Sequence, residues 1–185
     1  MFEKQKLRIK FLKIRKKKYF EVNKNYFTPL EKLISKIFKK KKINLSIYYP
    51  SNYEVNTLKL LEVIDKKITI LLPTIKNKND MKFCRWSNLD VLKVNKYGML
   101  EPSMPFKSIV PEMSLVPLLA FDKNNHRLGY GKGFYDKFLN KHIKLNKKII
   151  TVGVAFSFQK YDNLPSSILD VKLNYILTEK GIKKL

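Results

Sequence analysis

Arginine, lysine and aspartate gather round three closely set glycines in "RLGYGKGFYD", Arg127 to Asp136, and these are half of the six glycines in the 185-residue chain. Glycine tolerates positive φ and lets backbone N–H groups come close to an anion, while a helix starting just behind adds its partial positive charge. Arg127 and Lys132 supply cations for phosphate, and Asp136, on the first turn of the following helical pattern, supplies a carboxylate for Mg²⁺. Together these types read as a nucleotide site. The G-x-G-x-G spacing is neither the dinucleotide fingerprint nor the full P-loop. Glycines alone would equally serve a tight strand-to-helix turn, and the flanking charges are what favour a phosphate.

Such a loop needs a strand to deliver it and a helix to leave it. "SLVPLLAFD" reads as the strand, "KNNH" as a turn, and "GFYDKFLNKH" as the helix. Upstream, "INLSIYYP" is a β-prone run stopped by Pro50, "VNTLKLLEVID" places Leu58, Leu61 and Ile64 on one helical face, and "KITILLP" returns as a buried strand. "MKFCRW", "KIITVGVAF" and "NYILT" add further strands. This alternation predicts an α/β fold in three layers, a mainly parallel sheet with helices on both faces, in one domain over residues 1–185. "TPLE" predicts a helix from Thr28, as cap, to about Lys40, with Pro29 in the first turn and Glu31 completing a capping box. Near the N-terminus Leu7, Phe11, Ile14 and Lys18 fall at helical spacing, with Lys4, Arg8 and Arg15 along another flank. The apolar stripe is expected to dock and to leave the cations free. "KNKND", "SNLD" and "EPSMPFKSIVPEM" read as loops.

Lys and Arg number 39 against 15 Asp and Glu, a net charge of +24 that suits nucleic acid, an anionic surface or a polyanionic small molecule. The preponderance of Lys over Arg also fits drift of an AT-rich coding sequence. No window approaches the roughly 18 apolar residues of a membrane span. Targeting features are absent from the basic N-terminus, so a cytoplasmic location is expected. Cys84 is the only cysteine, which excludes an intrachain disulfide and fits a reducing compartment. His126 and His142 lack partners at metal-ligand spacing.

The stretch "LAFDKNNHRLGYGKGFYDKFL" resembles the signature of the 5-formyltetrahydrofolate cyclo-ligase family, also called 5,10-methenyltetrahydrofolate synthetases. "KQKLR", "YYPSNYEVNT", "FCRW", "YGMLEP", "TVGVAFSFQ" and "DVKLNYILTE" extend the resemblance, in order, over nearly the whole chain. It implies a Rossmann-like topology and ATP- and Mg²⁺-dependent cyclisation of 5-formyltetrahydrofolate to 5,10-methenyltetrahydrofolate, with ADP and phosphate released. A formamide oxygen is a poor leaving group, so ATP must activate it. The implied route has the formyl oxygen attack the γ-phosphate, N10 add to the resulting iminium phosphate, and phosphate leave, with the protein positioning groups and neutralising charge.

The resemblance assigns ATP contacts to Lys4, Gln5, Lys6, Leu7 and Arg8 and to Arg127, Leu128, Gly129, Tyr130, Gly131, Lys132, Gly133, Phe134 and Tyr135. Arg127, Lys132 and Tyr135 are the implied catalytic residues. Folate contacts fall on Tyr49, Glu54, Trp86 and the run Tyr130 to Phe134, with Glu54 suited to the donor edge of a pterin. Phe134, Tyr135 and Trp86 suit either ring stacking or core packing, and Arg85 beside Trp86 suits an anionic group. Asp136 and Asp170 are the implied Mg²⁺ ligands, and Asp136→Ala is expected to stop turnover while leaving the fold intact. Lys137 and Asn174 depart from the family pattern, and Asn174 stays outside the metal site. The expected partners are ATP and the folate, with no membrane and no specific nucleic acid, acting on a monomer. A basic nucleic-acid binder and a relative that binds nucleotide without turnover are the alternatives.

Overall fold

A computed structural model describes residues 2–39, 41–77, 80–104 and 107–184. In chain order the elements are α1 (Phe2–Lys18), a 3-10 turn (Lys24–Phe27) running into α2 (Thr28–Phe38), β1 (Asn44–Ser46), a 3-10 helix (Thr57–Glu62), β2 (Thr69–Asn77) and β3 (Asp80–Arg85). Then follow β4 (Leu92–Val94), β5 (Leu100–Pro102), β6 (Met113–Pro117), β7 (Ala120–Phe121), β8 (Arg127–Leu128), α3 (Phe134–Lys144), β9 (Ile150–Val154), β10 (Tyr175–Thr178) and β11 (Gly181–Lys184).

Seven strands form one sheet in the order β11-β10-β9-β6-β1-β2-β3. The inner pairings are parallel, and the two edge strands, β3 and β11, run antiparallel to their neighbours. Strand periodicity of two sends alternate side chains to opposite faces. Accordingly Ile70 and Leu72 pack with Leu30 and Ile34 of α2, while Leu71 between them packs with Phe134, Phe138 and Leu139 of α3. The expected three layers are therefore present, with helices on both faces of a mainly parallel sheet. Helix α1 stands apart from these two, burying Leu7 and Phe11 against Leu119, Ala120, Leu128 and Leu164.

Connections from β1 and β6 leave in opposite directions: β1 is followed by β2 on one side, β6 by β9 on the other. Between two such neighbours a crevice opens at the carboxyl ends of the strands, the usual ligand position in open α/β sheets.

Several elements differ from the expectation. Thr28 is already helical, and Phe27 occupies the cap position without a side-chain cap bond, because the preceding 3-10 turn leads straight into the helix. This helix ends at Phe38, and Lys40 lies outside the described residues. "TLKLLE" winds as a 3-10 helix, which eclipses residues three apart: Thr57 and Leu60 are fully buried, while Leu58, Leu61 and Ile64 pack half-buried against the same core. "SLVPLLAFD" divides into β6 and β7, with β7 folding back on β8 around the Asp122–His126 turn. The stretch around "KNKND" is strand on both sides, with Lys78 and Asn79 outside the described residues. Strands β4 and β5 make a separate ribbon where no strands were expected, and β11 adds an edge.

Candidate active site

The crevice at the ends of β1 and β6 is a cavity of about 390 Å³. Tyr48, Tyr49 and Glu54 enter it from the segment after β1, Pro117 from the end of β6, and Gly129 to Asp136 from the loop and helix that follow β8. Helix α1 contributes Lys4 and Arg8, one turn apart on the same face, and Asp170 closes the near wall.

Two glycines in the loop are conformationally required. Gly131 has φ +96° and Gly133 φ +68°, both in the left-handed region that side chains disfavour. At Gly131 a Cβ would stand only 3.0 Å from Cζ of Arg8, so the bare backbone also makes room for that guanidinium. Arg8 in turn donates from Nε to the Gly129 carbonyl at 2.9 Å and from NH1 to Gln5 Oε1 at 3.3 Å. Gly133 caps the start of α3, whose first turn carries Asp136. Lys132 is exposed, with its ammonium 5.6 Å from the centroid of the Tyr97 ring. The loop thus sets one exposed lysine and one braced arginine beside a helix N-terminus, an arrangement that favours phosphate.

Both expected metal carboxylates lie at this end, each paired with a cation. Asp136 Oδ1 accepts from Arg127 NH2 at 2.6 Å and from the Val171 N–H at 3.0 Å. Arg127 is buried and also donates from NH1 to the Val171 carbonyl. Its guanidinium is therefore engaged in holding Asp136 and the 171 segment, which changes the expected picture of a free phosphate clamp. The same pairing revises the expectation for Asp136→Ala, since that substitution strands a buried cation. Asp170 Oδ2 accepts from Lys4 at 2.6 Å and from the Ser167 N–H at 2.7 Å. Among the described residues no group of three or more His, Cys, Asp or Glu converges. Two carboxylates, each with a second oxygen unengaged among the described residues, fit Mg²⁺, which binds through one or two carboxylates plus water and phosphate oxygens.

The other end of the cavity is built round Glu54. Asn52 and Tyr53 both take left-handed φ, 48° and 61°, and this double turn brings Glu54 inward. Strain of about 1–3 kcal/mol per such residue is outweighed by a core in which each enclosed Leu or Phe contributes a similar amount. Glu54 Oε2 accepts from the Ser51 N–H at 2.9 Å, and Oε1 from the Tyr130 hydroxyl. That hydroxyl also accepts from Arg15 NH2 at 2.5 Å. Although Tyr130 exposes 37% of its surface, its hydroxyl end is enclosed between these two groups, and burial with the adjacent Glu54 charge raises its pKa well above the usual. Arg15 itself is 1% exposed, so the expectation of a solvated flank fails for this cation. Burial raises the Glu54 carboxyl above its ordinary range, with the Tyr130 bond and Arg15 acting in the opposite direction. Tyr135 also lines the cavity; its hydroxyl is buried with no hydrogen-bond partner among the described residues, and burial pushes its pKa up.

Some expected contacts lie elsewhere. Trp86 is buried on the α2 face of the sheet with Ile70 and Leu72 and does not line the cavity; aromatic bulk served the core there. Leu7 packs inward beneath α1, and Lys6 lies over the Phe2 ring, so of the N-terminal five only Lys4 and Arg8 reach the cavity, with Gln5 bracing Arg8. Phe134 does both jobs, buried with Phe83 and Leu71 while bordering the cavity. Leu128 packs into the α1 cluster and borders the cavity as well. His126 pairs with Asp122 and His142 lies against Phe138, outside the site. The β4–β5 ribbon supplies Asn95, Tyr97, Met99 and Leu100 to the cavity, none of them foreseen. "NKYG" between two alternating runs was the available hairpin signal.

The family model described as the 5-formyltetrahydrofolate cyclo-ligase family matches residues 1–179. A 5-formyltetrahydrofolate cyclo-ligase of Haemophilus influenzae is 33% identical over 141 residues, covering 72% of this chain and 74% of its own. One from Mycoplasma genitalium is 33% identical over 138 residues, 72% of this chain and 71% of its own. Among solved structures, the 5,10-methenyltetrahydrofolate synthetase of Aquifex aeolicus superposes with a TM-score of 0.75 at 29% identity, covering 98% of this chain and 92% of that one. With a match that runs from the first residue of α1 through β10, the chain belongs to the 5-formyltetrahydrofolate cyclo-ligase family.

Proposed function

We propose that the cavity takes ATP at its glycine-loop end and 5-formyltetrahydrofolate at its Glu54 end, and that the chain performs the ATP-dependent cyclisation its family carries out. The reading is supported above all by one observation: Arg8, Lys132, two carboxylates and a buried glutamate all border a single cavity. ATP supplies the activation, turning the formyl oxygen into a phosphate leaving group. The chain's own residues then bind, orient and neutralise. Backbone N–H groups of the loop, Lys132, Lys4 and Arg8 would hold phosphates. Asp136 and Asp170 would hold Mg²⁺, which screens the triphosphate. Glu54, an acceptor, suits the N–H edge of a pterin, with Tyr49 alongside. Tyr135, whose hydroxyl has no partner among the described residues, would donate to an oxygen between the two ends, and Tyr97, Met99 and Phe134 would screen the ligands from water.

A Rossmann-like description of the sheet is supported by the crevice between β1 and β6, where the direction of connection reverses. A monomer acting in the cytoplasm remains our proposal; no helix among the described residues is long and apolar enough to cross a membrane.

The test is direct. Purified protein mixed with 5-formyltetrahydrofolate, ATP and Mg²⁺ is expected to show growth of the near-ultraviolet absorbance of the methenyl product, with none when ATP is omitted. Salt-sensitive RNA binding without turnover would reject this reading in favour of the nucleic-acid one.

A further inference from the structure

We infer that Arg15 is a positioning residue for substrate recognition: through the Tyr130 hydroxyl it holds Glu54 oriented and anionic toward the folate end of the cavity. The inference deepens the function proposed above and rests on its assignment of Glu54 to the folate.

Three groups from three distant parts of the chain form one relay. Arg15 NH2 donates to the Tyr130 oxygen at 2.5 Å, Tyr130 donates its proton to Glu54 Oε1, and the Ser51 N–H fixes Glu54 Oε2 at 2.9 Å. A second anchor, from Arg15 NH1 to the Leu118 carbonyl at 3.2 Å, prevents the guanidinium from rotating away. Because a hydroxyl stands between cation and carboxylate, the charge is felt without a bidentate clamp. A carboxylate has about four lone-pair sites, so lone pairs remain for a ligand's N–H donors. A hydroxyl that accepts from a cation also donates more strongly to an anion.

The groups facing Glu54 are Tyr48 from its own segment, Tyr130 from the glycine loop, Tyr135 from α3 and Arg15 from α1. Among the described residues Arg15 is the only cation acting on it. The three phenols are neutral at ordinary pH, burial raising each of them, so the penalty that burial places on the ionised carboxylate is opposed by the hydrogen bonds from Tyr130 and Ser51 and, as the one charged group among the described residues, by Arg15. A purely structural account is poorer. Arg15 is 1% exposed and its Nε has no partner among the described residues, a cost that a methionine of similar length would avoid.

The experiment is a pH profile of kcat/KM for 5-formyltetrahydrofolate on wild type, Arg15→Met, Arg15→Lys, Tyr130→Phe and Glu54→Gln. Arg15→Met and Tyr130→Phe are expected to move the acid limb upward by about one pH unit and to raise the folate KM about tenfold at neutral pH. The KM for ATP should change less than about twofold, and Arg15→Lys should restore part of the loss. Glu54→Gln should abolish that limb. If Glu54→Gln does so while both Arg15→Met and Tyr130→Phe superimpose on wild type, the relay is rejected and the assignment of Glu54 stands. If Glu54→Gln itself superimposes on wild type, that assignment fails and the relay with it. Should Arg15→Met not fold, Arg15→Lys and Tyr130→Phe decide together: a limb moved by both supports the relay, and Arg15→Lys superimposing on wild type rejects it.

Discussion

The ammonium of Lys4 and the carboxylate of Asp170 meet at 2.6 Å although 166 positions separate them in the chain. The contact ties α1 to the segment before β10 and closes one wall of the cavity. Burial pushes Asp170 up, but Lys4 and the Ser167 N–H outweigh it and hold the group below its ordinary 3.8. A carboxylate depressed in the folded state contributes stability that is whole above pH 3.8 and is lost as pH falls through the folded value. Both side chains are about a fifth exposed, so Asp170→Asn should cost only about 0.5–1 kcal/mol at pH 7. Melting curves of the two proteins should keep their offset down to pH 3.8 and converge as pH falls through the depressed folded value, and a constant offset down to strong acid would show the pair contributes nothing.

Lys4→Ala has a different signature. It frees Asp170 rather than removing it, so the fold should be little changed while the KM for ATP rises about tenfold. Initial rates at saturating folate check this, and an unchanged KM would take Lys4 out of the nucleotide contacts.

Asp136→Ala should lose both activity and stability. Arg127 is 8% exposed, and removing the partner of a buried cation costs about 3 kcal/mol. Urea unfolding should also show the Arg127→Met, Asp136→Ala double variant regaining part of that loss, because the stranded charge is gone. A double variant no more stable than Asp136→Ala would mean the pair is not what holds the 171 segment.

Tyr135→Phe separates ligand binding from packing. Its hydroxyl has no partner among the described residues, so removing it breaks no bond within the protein and should leave thermal stability equal or slightly higher. Turnover should still fall, by about tenfold, if the hydroxyl meets a ligand. A drop in stability with full activity would invert the assignment.

Gly131→Ala should combine a backbone cost of about 1 kcal/mol with displacement of Arg8. Gly98→Ala is the matching reference, since Gly98 has φ +75° in the β4–β5 turn with nothing within 4 Å of a Cβ. Both should be destabilised, whereas only Gly131→Ala should raise the KM for ATP.

How much of this could be read from the chain alone depends on where each residue's partners lie. The glycine loop, with its cations and Asp136, was legible because residue types within one short segment specify it. Parallel strands and covering helices were legible from periodicity. Glu54, Tyr49 and Asp170 came from resemblance, since nothing local distinguishes them from solvated residues. Arg15 was misjudged for a physical reason. Lys4, Arg8, Phe11 and Arg15 share one stripe at i, i+4, i+7 and i+11, but a cation on a helix is ordinarily solvated, and only the arrival of Tyr130 from across the chain gives it a buried acceptor. The β4–β5 ribbon and β11 were missed because strands of three or four residues carry little periodicity of their own. Trp86, for which ligand stacking and core packing were both open, packs in the core, since residue type alone does not separate the two uses.

Arg127 and Asp136 flank the glycine loop and clasp each other at 2.6 Å, so its two ends are pinned before any nucleotide arrives. The entropy of ordering those residues is therefore spent during folding, not at association. Calorimetric titration with a non-hydrolysable nucleotide should accordingly reveal only a modest entropic penalty.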